Sequence, residues 1–209
     1  MPLFKRRNRF LDACNNVINN EKLYNSIVGL QNDLIVFTNS EPKVIAVVSP
    51  LVRLNSSLMA KTIAEVYAHS NKKTLLIDLD MRMPTMDKLF KLEDTKSILD
   101  IASDDVKSVV NKINDNLDVI VARVETFNAN FLISDEFKEC LSSLKENYKH
   151  IIVTLPPVLE NQDILLVKEH LDAVLLVAKK DETTILSIES SVKFMKDSNI
   201  NLVGTVFIK

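Results

Sequence analysis

Glycine is almost missing from this chain: its 209 residues contain two, Gly29 and Gly204, where average usage of about 7% would supply roughly 15. A backbone that wraps closely around a phosphate relies on residues without a Cβ, so any function built on a glycine-lined loop is disfavoured from the outset. Cysteine is scarce as well. Cys14 and Cys140 lie far apart, with neither metal-ligand nor redox-motif spacing, and a chain of this length has no need of a disulfide staple. A reducing cytoplasm is the expected setting. No apolar run approaches the about 18 residues of a membrane-spanning helix. Behind the charged N-terminus, Asp12, Asn15, Asn16, Asn19 and Asn20 break up any apolar stretch, which excludes a signal peptide. A net charge of −2 excludes a strongly basic nucleic-acid domain, and no nucleic-acid partner is expected.

What is present is the composition of a globular domain, 46% hydrophobic and 26% charged. Lys5, Arg6, Arg7 and Arg9 concentrate positive charge in residues 1–10; this is either a solvated arm or a contact for an anionic membrane or an acidic partner. Six short runs rich in Val, Ile and Leu follow: Val44 to Ser49, Thr74 to Leu79, Leu117 to Ala122, His150 to Thr154, Ala173 to Ala178 and Leu202 to Phe207. Runs apolar at every position suit strands buried on both faces, as in a parallel sheet. Leu58 to His69, Phe131 to Asn147, Asp163 to His170 and Thr184 to Lys196 have helical spacing between them. Ahead of the first strand, Glu21 to Phe37 places Leu23, Ile27, Leu30 and Leu34 on one stripe, to cover the sheet or a neighbouring subunit. The expected architecture is α/β: a doubly wound, mainly parallel sheet flanked by helices. We expect a basic N-terminal arm over residues 1–19 and a single domain over 20–209.

In such a sheet ligands sit where strand C-termini meet helix N-termini. Three strand ends carry candidate chemistry: Ser49-Pro50-Leu51-Val52-Arg53-Leu54-Asn55-Ser56-Ser57, Asp78-Leu79-Asp80-Met81-Arg82-Met83-Pro84, and Thr154-Leu155-Pro156-Pro157. At these residues the chain resembles the cytoplasmic domain of bacterial tyrosine autokinases of capsule and exopolysaccharide assembly, within the MinD/ParA group of P-loop ATPases. Residues 75–84, LLIDLDMRMP, match that family's acidic motif, apolar-Asp-x-Asp-x-Arg-x-Pro, at Asp78, Asp80, Arg82 and Pro84. The resemblance continues through Asn128-Ala129-Asn130-Phe131-Leu132-Ile133, Pro156-Pro157-Val158-Leu159, Asp163, the run from Asp172, and Leu202-Val203-Gly204-Thr205-Val206. It implies a P-loop NTPase-like fold over residues 20–209.

The same resemblance exposes departures. The family's Pro-Gly-Glu-Gly-Lys-Ser/Thr loop is here Val52-Arg53-Leu54-Asn55-Ser56-Ser57, so Ser56 stands where the Walker A lysine is expected. Thr154 stands where the family has the Walker B aspartate, and a neutral hydroxyl cannot replace a carboxylate near Mg²⁺. In the oligomerisation helix, Glu21 is followed by Tyr24 and Ile27 in place of two arginines, and no tyrosine cluster follows the last strand. Arg53 could bring charge, with Asn55, Ser56 and Ser57 as a degenerate nucleotide-binding loop, and a helix opening at Ser57 would add its N–H groups and dipole. Cofactors are therefore not expected, although weak ATP or ADP binding with Mg is left open.

Three readings follow. The first is a degenerate, noncatalytic regulatory or scaffold module in capsular or exopolysaccharide assembly, partnered by a membrane-embedded co-polymerase-like activator or an active paralogue. The second is a divergent kinase or ATPase in which Asp78 and Asp80 are catalytic and Asp80 holds the metal. The third is a MinD/ParA-like membrane-associated positioning protein. Asp78 and Asp80 could equally cap a turn and the helix after it. Glu21, Tyr24, Ile27 and Arg82 are the candidate interface residues, Arg82 alternatively pairing with an aspartate; a homo-oligomer stays open. His69, His150 and His170 have no nucleophile partner, and Met81, Met83 and Met86 are read as gap fillers. The expected location is the cytoplasm, with the inner membrane face as an option.

Overall fold

The computed structural model describes residues 9–51, 53–102, 105–123 and 129–208. Lys5, Arg6, Arg7, Val52 and Asn128 lie outside the described residues, as do the side chains of Arg9, Arg53 and Leu54.

Among the described residues two α-helices precede the sheet, α1 (Arg9–Cys14) and α2 (Glu21–Thr38), with a short 3-10 turn at Val17–Asn19 between them. Asn20 caps α2 by accepting the Leu23 N–H at 3.2 Å, and Asn39 ends it at φ 56°, a left-handed position that asparagine tolerates. Strand β1 (Val44–Val48) leads into α3 (Arg53–His69), then β2 (Thr74–Asp78) into the short α4 (Met86–Phe90). Next come β3 (Asn111–Lys112), β4 (Leu117–Ile120), α5 (Asp135–Asn147), β5 (His150–Thr154), α6 (Ile164–Val167), β6 (Ala173–Lys179), α7 (Ile185–Asp197) and β7 (Leu202–Ile208). The seven strands run in the order β3-β4-β2-β5-β1-β6-β7. Every neighbouring pair is parallel except β3–β4.

The two-sided burial expected of the apolar runs is realised residue by residue. Along β1, Val44, Ala46 and Val48 point into the layer shared with α5, α6 and α7, while Ile45 and Val47 point into the layer under α2 and α3. All five are fully buried. Burying a valine or isoleucine side chain contributes about 1.5–3 kcal/mol, so alternate residues of one strand glue two helical layers to one sheet.

Three differences from the sequence reading have physical causes. The single helix expected over Phe131 to Asn147 is interrupted at Ser134, whose side chain caps α5 by accepting the Phe137 N–H at 3.2 Å. A tight helical turn, Ala129–Ile133, precedes it. Strand β3 is too short to leave a periodicity. Residues 9–19 are not all arm: Cys14 and Val17 are buried at 0% and 1% exposure, and Val17 joins the core under α2 and α3.

At the N-terminal end of the sheet, Glu41 gathers three basic groups. Its carboxylate lies 2.6 Å from Lys72 Nζ, 2.7 Å from Lys149 Nζ and 3.1 Å from Nε2 of the buried His150. Partial burial works against the charge, but the lysine ammoniums and His150 overcome it and hold the carboxyl at about 2, below its ordinary 4.5. A carboxyl lowered in the folded state contributes stability that is present above about pH 4.5 and lost as pH falls toward 2. Thermal melts of wild type and Glu41→Gln from pH 2.5 to 7 should show the variant less stable at neutral pH and the two curves converging in acid. A gap independent of pH would refute this account.

Candidate functional site

Because β5 lies between β2 and β1, the C-terminal ends of β1, β2, β5 and β6 lie side by side at one edge of the sheet, where an open α/β sheet carries its ligand crevice, and the three strand ends picked out by sequence all lie there. Val158 N–H donates to Ser49 O at 3.0 Å and Leu159 N–H to Pro50 O at 3.2 Å, which ties the segment after β5 to the turn after β1.

That turn is short. Helix α3 begins at Arg53, four residues before the expected opening at Ser57, so Asn55, Ser56 and Ser57 lie inside the helix and are buried. The segment holds no glycine, none of its described residues takes a positive φ, and arginine, leucine and serine accept helical geometry. Positive φ occurs elsewhere, at Asn39, Asn71, Lys91, Asp94, Asp181 and Asn199. The Ser56 hydroxyl lies 3.3 Å from Ser49 Oγ, the Ser57 hydroxyl accepts from Thr85 at 2.9 Å, and Asn55 Nδ2 donates to Glu182 at 3.1 Å. Asn55, Ser56 and Ser57, three of the side chains expected to cradle a phosphate, thus each have a partner within the chain.

Asp78 ends β2 and is fully buried. Its Oδ1 accepts from the Asp80 N–H and the Thr154 hydroxyl, both at 3.0 Å, and its Oδ2 from the Thr85 N–H at 2.9 Å and the Met86 N–H at 3.1 Å. The carboxylate therefore folds the loop back and supplies acceptors at the start of α4. Burial pushes its pKa up, the four donors pull it back part of the way, and it rests at about 6. Asp80 Oδ1 accepts from the Arg82 N–H at 3.3 Å and the Met83 N–H at 3.1 Å. The Arg82 guanidinium lies 3.3 Å from Asp163, which it ties to the β2 loop. Met81 and Met86 are buried, whereas Met83 is 58% exposed, contrary to its reading as a gap filler. Among the described residues no three His, Cys, Asp or Glu side chains are grouped to hold a metal ion.

The interface candidates on α2 are not brought together as a surface. Ile27 is 3% exposed because it faces the chain's own core, and Tyr24 packs edge-on against His69 at 5.7 Å with its hydroxyl 3.3 Å from Ser70. Glu21 is exposed. Sequence reasoning passed over Lys179 and Glu182 at the end of β6; the strand-end rule alone pointed there, without a motif to reinforce it.

The sheet order and the helices on both faces define a doubly wound α/β fold of the class seen in the MinD/ParA-like P-loop NTPases. MinD from Pyrococcus horikoshii, solved with Mg-ADP, superposes with a TM-score of 0.66 at 14% identity over 79% of this chain and 69% of that one. Within the class, the chain is related to the bacterial tyrosine-protein kinases. The kinase domain of VpsO matches with a TM-score of 0.80 at 22% identity, covering 93% of this chain and 98% of that chain. In sequence the chain is 22% identical over 188 residues to the tyrosine-protein kinase Etk of Escherichia coli K12, 88% of this chain and 24% of Etk. It is 22% identical over 173 residues to the tyrosine-protein kinase Ptk of Acinetobacter johnsonii, 81% of this chain and 24% of that one. The chain spans about a quarter of the length of the curated relatives it matches. No protein-family model matches it. Among the described residues no helix is long and apolar enough to cross a membrane.

Proposed function

We propose that this chain is a noncatalytic relative of the tyrosine kinase domains, acting as a regulatory or scaffold module in capsular or exopolysaccharide assembly. Its partner in that role is a membrane-embedded co-polymerase-like activator or an active paralogue, at the inner face of the membrane. The observation that carries the reading is the Asp78–Thr154 contact. Where the related motif would oppose two carboxylates across a cation, Thr154 donates directly to Asp78 at 3.0 Å, and both Asp78 oxygens are saturated by donors of the chain. The described residues therefore do not fit a resident Mg²⁺. The β1–α3 turn adds to this, because it holds no glycine, and helix occupies the positions where a phosphate loop would lie.

Phosphoryl transfer rests on positioning and charge neutralisation, and loss of one charge-assisted contact costs about 1.5–3 kcal/mol. Weak residual nucleotide binding is compatible with the site; turnover is not. Isothermal titration with Mg-ATP and Mg-ADP is the test. We expect dissociation constants no tighter than about 1 mM, where the binding free energy is about −4 kcal/mol, with no dependence on Mg²⁺. Micromolar, Mg-dependent binding would overturn the proposal and restore the divergent-enzyme reading, for which turnover by wild type against Asp80→Asn is then decisive.

A further inference from the structure

The turn after β6 places a carboxylate beside the first turn of α3. Lys179 is the last residue of β6, on the strand face that Leu175 and Val177 direct toward α3. Its backbone fixes the following turn: Lys179 O accepts the N–H groups of Glu182 at 3.2 Å and Thr183 at 2.9 Å, and its own N–H donates to Thr183 Oγ1 at 3.0 Å. Asp181 closes the turn at φ 64°. Glu182 is thereby held against two donors. Lys179 Nζ pairs with its Oε1, and Asn55 Nδ2 donates to its Oε2 at 3.1 Å. These contacts, Lys179 first, hold the Glu182 carboxyl below its usual range.

The arrangement is a cation and an amide donor converging on an anion at the C-terminal ends of β1 and β6, where an open α/β sheet receives its ligand. The anion in place belongs to the chain itself. We propose that Lys179 and Asn55 form a phosphoryl-binding pair and that Glu182 is the resident anion that a phosphorylated ligand must displace. The proposal rests on the reading of these strand ends as a noncatalytic site with weak residual phosphate affinity, and it adds a cation near position 56, where the resemblance expects a lysine, together with the carboxylate that cancels it. Displacement needs only a side-chain rotation. The Glu182 side chain is 42% exposed, whereas Lys179 is 17% exposed and the turn carrying both is fixed by its backbone bonds. The ligand class is a di- or triphosphate, whose charge can outcompete a single carboxylate.

Equilibrium binding of inorganic pyrophosphate and of ATP, in EDTA and at low salt, to wild type, Glu182→Gln, Glu182→Ala and the double variant Glu182→Gln/Lys179→Met tests it. Both single variants should bind pyrophosphate at least about tenfold more tightly than wild type, as expected when a charge-assisted contact becomes available. The double variant should lose that gain. ATP should gain by the same factor, since the phosphate chain is what the pair recognises. Equal affinity of wild type and both single variants, including no measurable binding by any of them, overturns the proposal. So does a gain that survives loss of Lys179, or one confined to ATP. Tight Mg-ATP binding by wild type would count against the noncatalytic reading while leaving the ratio between variant and wild type to decide this one.

Discussion

Asp78→Ala is expected to lower unfolding stability by about 3–5 kcal/mol in urea denaturation at pH 7. The carboxylate is fully buried and accepts four hydrogen bonds, three of them from backbone N–H groups. Alanine leaves all four donors without acceptors, and an unsatisfied buried donor costs about 1–3 kcal/mol, partly relieved by relaxation of the loop. Asp78→Asn keeps the shape and one accepting oxygen but turns an amide toward donors, so it should lose less, about 2 kcal/mol. The loop from Leu79 to Thr85 would lose its anchor in either variant. A midpoint for Asp78→Ala that converts to less than about 1 kcal/mol of destabilisation would show that the carboxylate does not hold this loop.

Thr154→Asp should be comparably damaging for the opposite reason. Thr154 is 2% exposed and its hydroxyl lies 3.0 Å from Asp78 Oδ1, so the variant sets two carboxylates together without a cation between them. A buried charge without compensation costs about 3–5 kcal/mol. Two carboxyls at that separation share one proton, which raises the pKa of the pair. A group raised in the folded state contributes stability that is present at low pH and lost as pH rises through the folded value. The variant should therefore lie near wild type at pH 5 and fall well below it at pH 8, and added Mg²⁺ should stabilise the variant alone. Thr154→Val removes the hydroxyl without adding charge and should cost only about 1–2 kcal/mol at either pH. If Thr154→Asp matched Thr154→Val throughout, the position would not face Asp78 as described.

These predictions bear on how the site is built. Position 154 couples β5 to β2 through a neutral hydroxyl, and position 55 couples α3 to the turn after β6 through an amide. Both are contacts between side chains of the chain itself, made at the C-terminal ends of the strands.

The central strands were legible because burial on both faces leaves a run of Val, Ile and Leu that few other environments tolerate. His150 to Thr154 is read to the residue, and the other runs differ by one or two residues at their ends. Strand β3 was not legible, since two residues of an antiparallel edge carry no period. Helix α2 was found by its stripe, yet the stripe could not say whether Ile27 faced a neighbouring subunit or the chain's own core. The start of α3 was misplaced because the resemblance imposed a loop on residues whose own propensities are helical.

The sequence alone determined the class of fold and which residue types stand at the strand ends, among them Asn55, Ser56, Ser57, Asp78 and Thr154, because these depend on residue type and local spacing. Tertiary structure decided which partners they meet. Asn55 meets Glu182 across 127 positions and Thr154 meets Asp78 across 76, pairings set by which strands lie side by side in the sheet. The two glycines, Gly29 on α2 and Gly204 on β7, sit away from the crevice. With no glycine after β1, the backbone there continues as helix, and side chains of the chain itself occupy the donors that remain.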